Sequence, residues 1–115
     1  MAGAALQRRR IAMLDLSFTF TGKCWLWQGK GAWHFITLPK DKSEEIKFFS
    51  ENLQGKRRGW GAVRVLVTIG STTRQTSIFP HSKADAYILP IKAEARKKEK
   101  IVAGDTVKVT LEISM

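Results

Sequence analysis

Leu14, Leu16, Phe18 and Phe20 alternate with Asp15, Ser17, Thr19 and Thr21, the two-residue period of a half-buried strand. Cys24-Trp25-Leu26-Trp27 extends the strand to residue 28, with Gly22-Lys23 a place where it bends or bulges. Gln28-Gly29-Lys30-Gly31 is a turn by its glycines, and residues 32–38 return as the second arm of a hairpin. Pro39, without an amide hydrogen, ends the ladder. Asp41 followed by Glu44 predicts a helix cap, and Ile46, Phe49 and Leu53 form its apolar stripe. Residues 62–69 and 72–79 read as two strands around a Gly70-Ser71 turn. A loop over 80–85 and a short strand over 86–89 follow. Pro90 interrupts that strand, and residues 92–100 are helical with a thin apolar face of Ala93, Ala95 and Ile101. Gly104-Asp105 then turns into a strand that points Val107, Val109, Leu111 and Ile113 inward.

The second half repeats the first. Val63-Arg64-Val65-Leu66-Val67-Thr68-Ile69 aligns with Val107-Lys108-Val109-Thr110-Leu111-Glu112-Ile113, and each copy is preceded by Leu-Pro (Leu38-Pro39, Leu89-Pro90), a charged helix and a glycine turn. Neither copy has enough apolar surface to close alone, so the two are expected to share one core. About seven strands and two short helices in such a length point to a small closed β-barrel, since closure removes exposed sheet edges. The fold class expected is mainly β, built from a β-β-α-β repeat with pseudo-twofold symmetry inside one chain. Residues 14–113 form the single domain, and residues 1–13, with Arg8-Arg9-Arg10, form a basic arm.

The composition of the 115 residues, 43% apolar with four Trp and six Phe, suffices for a packed interior. A lone cysteine, Cys24, forms no internal disulfide and leaves too few thiols for a zinc site, so the expected compartment is the cytoplasm. No segment has the length of a secretory signal or a membrane-crossing helix. The expectation is a monomer that carries no cofactor and no metal.

Net charge is +10, and eleven basic residues stand between Lys56 and Lys100 against Asp85, Glu94 and Glu99. That excess favours a polyanionic partner, or else a solvated basic face. The polyanion candidates are Lys56, Arg57 and Arg58 in the glycine-rich loop and Lys92, Arg96, Lys97, Lys98 and Lys100 on the second helix, joined by Arg64 and Lys108 on outward strand positions. The loop lacks the Gly-Lys-Ser/Thr ending of a phosphate loop and precedes a strand, which argues against nucleotide hydrolysis. Trp25, Trp27, Trp33 and Trp60 are candidates for an aromatic pocket, with core filling the favoured use. Cys24, His34 and His81 suggest a nucleophile and base, but no carboxylate stands at the spacing of an orienting third member. The function expected is therefore a non-enzymatic binding or interaction module. The alternatives are DNA binding through the basic helix and loop, and a barrel for a small molecule or peptide.

Two resemblances bear on this reading. Strand, Pro90, basic helix, Gly104-Asp105 and strand together resemble the AbrB and MazE type of swapped-hairpin barrel, with Ala93-Glu94-Ala95-Arg96-Lys97-Lys98 on that family's helix. Ile91-Lys92 is an insertion there, and Glu99 replaces an apolar residue. Over most of the chain, Leu26-Trp27, Trp33-His34-Phe35-Ile36-Thr37-Leu38-Pro39, Gly59-Trp60-Gly61-Ala62-Val63, Thr76-Ser77-Ile78-Phe79-Pro80 and Gly104-Asp105-Thr106-Val107 resemble, in order, the bacterial family known as domain of unknown function 1905. That resemblance implies a double-split β-barrel and leaves the biochemical role open.

Overall fold

A computed structural model describes residues 16–29, 31–53 and 61–113. The basic arm, Lys56, Arg57, Arg58 and Trp60 lie outside the described residues. In chain order the elements are β1 (Leu16–Leu26), β2 (His34–Thr37), α1 (Lys40–Leu53), β3 (Val63–Ile69), β4 (Thr72–His81), β5 (Ala86–Pro90), α2 (Ala93–Glu99) and β6 (Thr106–Ile113). The described strands number six, with β1 running unbroken through Gly22.

All six close into one antiparallel barrel in the order β1-β2-β5-β4-β3-β6. Two long strands make closure possible by changing partner partway. β1 pairs with β6 over residues 16–23 and with β2 over 24–26. β4 pairs with β3 over 72–78 and with β5 over 79–81. Gly22 sits at the first changeover, where a Cβ would lie 2.6 Å from Ile36 Cγ2, so the glycine provides close approach and not a bulge. Pro80 and His81, expected in a loop, belong to β4 beyond the second changeover. There the strand pairs with β5 alone and a missing amide donor is tolerated.

Strands β3 and β6 are neighbours, with Val67 opposite Leu111, the two residues that the sequence alignment equates. Likewise β2 neighbours β5, with Thr37 opposite Ile88. The helices differ: α1 has 14 residues and α2 has seven.

Inward positions of the strands fill the barrel with Phe20, Cys24, Ile36, Ile78, Tyr87, Leu89 and the branched residues of β3 and β6. Helix α1 adds Ile46 and Phe49, and Ser43 accepts a buried hydrogen bond from the Tyr87 amide at 3.0 Å. Its first intrahelical carbonyl is that of Pro39, bonded by the Ser43 amide at 2.9 Å, so Asp41 falls inside the first turn and is not the cap. Ala95 anchors α2, which ends at Lys100 in the left-handed conformation with φ 55°. Glu99 explains its departure from an apolar residue: its carboxylate accepts from Thr72 Oγ1 at 2.5 Å and from Ser71 Oγ at 3.3 Å, tying α2 to the β3–β4 turn. Those hydrogen bonds, Thr72's foremost, hold its carboxyl below the usual glutamate range.

Candidate functional site

The parity that sends Phe20 and Cys24 into the barrel sends Trp25 and Trp27 out of it. Phe35 on β2 lies opposite Trp25, with ring centroids 5.3 Å apart. Trp33 stacks on Phe35 at 6.3 Å and an interplanar angle of 11°. From β4, His81 stacks on Trp25 at 5.8 Å and stands 5.6 Å from Trp27. Phe35, Ala86 and Ile88 are buried yet separate from the barrel core, so they floor a second apolar layer on the outside of the sheet. Above that floor the rings are open to solvent: Trp33 is 58% exposed, Phe79 42% and Trp27 38%.

The favoured expectation of core filling is therefore corrected for Trp27 and Trp33. The core is filled mainly by Val, Ile and Leu with Phe20, Cys24, Phe49 and Tyr87, and the indoles fall on the outward parity. The outer rings enclose a concavity of about 370 Å³ lined by Trp27, Trp33, Phe35, Phe79, Pro80 and His81, with Ile88 beneath. Its indoles are positioned by the hairpin turn. The Trp27 amide donates to the Trp33 carbonyl at 2.8 Å. A Cβ on Gly29 would stand 2.9 Å from Trp27 Nε1, and one on Gly31, at φ +79°, 3.0 Å from Trp33 Nε1. Trp25 is fixed by its indole N–H, which donates to Thr37 Oγ1 at 2.9 Å.

Trp33 is also a wall of a second concavity, about 340 Å³, shared with Ala32, His34, Ile91, Lys92 and Arg96. Lys92, the extended residue just before α2, and Arg96 within the helix both line this concavity. The Ile91 amide donates to the His34 carbonyl at 2.9 Å, holding the start of α2 against β2. The other basic candidates spread over different faces. Arg64 borders a hollow with Gln75 and Glu112, while Lys100 and Lys108 border another beside Glu99 and Asp105. Lys97 and Lys98 are exposed and border neither concavity that Trp33 shares.

Cys24 faces the core and is 1% exposed, and burial pushes its thiol above the ordinary range, with Arg96 opposing. His34 Nδ1 is 2.9 Å from the Ala32 carbonyl, and His81 belongs to the outer aromatic layer, so the sheet separates His81 from the thiol. Among the described residues no three His, Cys, Asp or Glu side chains gather as metal ligands, and no helix is long and apolar enough to cross a membrane.

The sequence reading missed Phe35, Phe79 and Pro80 as site residues and weighed His81 as a base beside Cys24 and not as part of an aromatic layer. For the two Phe the signal was parity: Ile78 and Ile36 point inward, so Phe79 and Phe35 point outward.

Fold and site together define a closed, six-stranded antiparallel barrel with two helices and an aromatic outer face. The model of the family described as Domain of unknown function (DUF1905) matches residues 20–111, and the chain belongs to that family. No curated protein matches it.

Proposed function

We propose that this barrel is a non-enzymatic binding module whose ligand lays a flat or apolar group in the outer aromatic groove. One observation carries the reading: Trp27, Trp33 and Phe79 stand exposed around a concave, apolar floor, and a backbone hydrogen bond between Trp27 and Trp33 ties together the hairpin arms that carry both indoles. Clustered exposed rings of this kind cost free energy in water and mark interaction sites. The buried, protonated thiol of Cys24 and the aromatic packing of His81 favour binding over nucleophilic chemistry.

Titration with the neutral, flat dye Nile red, followed by its fluorescence, tests the proposal. Saturable binding is expected for the parent protein and its loss for Trp27→Ala/Trp33→Ala, both measured at a temperature where circular dichroism shows the variant folded. Equal dye binding by parent and variant, or none by either, would overturn it.

A further inference from the structure

We propose that the two concavities sharing Trp33 form one site for single-stranded nucleic acid, with a base on the aromatic side and backbone phosphates at Lys92 and Arg96. This rests on the aromatic groove being a binding site and names its occupant. Trp33 lies with one face toward Phe35 and is 58% exposed, so the rest of its ring is offered to a ligand. In the second concavity that Trp33 lines stand two cations, Lys92 at the start of α2 and Arg96 within it. A ligand spanning Trp33 must therefore present a flat ring next to an anion, the repeating chemistry of a nucleotide strand.

Charge around the site supports this occupant. Glu94, the acidic residue in the first turn of α2, is held by Arg74 through a 3.0 Å ion pair on the β4 side, away from Trp33. Glu99 is turned to the β3–β4 turn by Thr72 and Ser71. Lys92 and Arg96 thus keep their positive field in the groove, within a chain of net charge +10. Arg96 gives one weak hydrogen bond, 3.4 Å, to the Ile91 carbonyl, and a guanidinium has five donors. A duplex fits poorly because its bases are already stacked on one another, whereas unpaired bases are free to stack on indole.

The test is fluorescence anisotropy with labelled oligothymidylate of about 12 nucleotides, within the usual span of a single-strand site. The same titration is run with a duplex, an abasic strand of equal length and thymidine monophosphate, at low and moderate salt. The strand is expected to bind more tightly than the other three. Trp33→Ala should weaken it about tenfold or more while leaving the salt slope unchanged. Trp33→Phe should restore most of the affinity, which separates stacking from misfolding. Lys92→Gln/Arg96→Gln should lower the slope of log affinity against log salt by about 1.4, at ~0.7 per phosphate contact, and leave Nile red binding intact.

Equal affinity for the duplex or the abasic strand, or no strand binding at low salt, overturns the inference. If monophosphate binds as tightly as the strand, the occupant is a free nucleotide and the strand assignment fails. Dye binding without strand binding removes this inference and keeps the groove, while loss of both removes the groove as well.

Discussion

Gly22→Ala sets two effects of opposite sign against each other where β1 passes from β6 to β2. The added Cβ would lie 2.6 Å from Ile36 Cγ2 and 3.3 Å from the Thr37 carbonyl oxygen. Ile36 is 0% exposed and paired on both sides, to Cys24 and Leu89, so its methyl has nowhere to retreat. Overpacking of this kind costs about 1–3 kcal/mol. Alanine also stiffens the unfolded chain, returning about 0.4–1 kcal/mol where, as here, the backbone is an ordinary strand. The clash wins, and a net loss of about 1–2 kcal/mol is expected. For a domain of this size that is a fall in melting temperature of roughly 5–15 °C.

Urea and thermal unfolding followed by circular dichroism measure the loss. Ile36→Leu moves the branch away from Cβ and so removes the clashing methyl. In the double variant the cost of Gly22→Ala should shrink, giving a coupling energy of about 0.5 kcal/mol or more. Stability equal to or above the parent for Gly22→Ala, or strictly additive losses in the double variant, would refute the packing argument.

Two further changes probe the helices. Ser43→Ala takes from the buried Tyr87 amide the acceptor it uses at 3.0 Å and should cost about 1–3 kcal/mol in urea unfolding; a loss under ~0.5 kcal/mol would show the bond to be dispensable. Glu99 has a lowered folded pKa, so its charged form contributes stability above its ordinary value of 4.5, and that contribution fades as pH falls through the lower folded value. Glu99→Gln should therefore flatten the acid side of the melting-temperature profile, and parallel profiles for parent and variant below pH 4.5 would contradict this.

Much of the barrel was legible because strand periodicity is a local property. Val107, Val109, Leu111 and Ile113 alternate without exception, and all four are buried. The alignment of β3 with β6 equated Val67 with Leu111, and the register sets them opposite each other. Strand ends at changes of partner were less legible. Pro80 reads as a breaker, and only the pairing of β4 with β5 shows why it is accommodated.

The site was half visible. Unbroken alternation through Gly22 already placed Trp25 and Trp27 on the face of Thr19 and Thr21, but aromatic bulk argued for the interior. That bulk belongs to a second apolar layer, which forms only when β1, β2, β5 and β4 lie side by side. Separations as long as that between Trp25 and His81 leave no short-range trace. Lys92 and Arg96 were singled out with their neighbours by charge alone. Only the docking of α2 against β2 distinguishes them from Lys97 and Lys98.

Strand β6 lies between β1 and β3, bonded to residues 16–23 on one side and 66–68 on the other. During synthesis, the earliest strand of the barrel must therefore wait for the latest, and the nascent chain carries two open edges until β6 emerges from the ribosome. Contacts this distant along the chain slow folding and leave those edges available to strangers in the meantime.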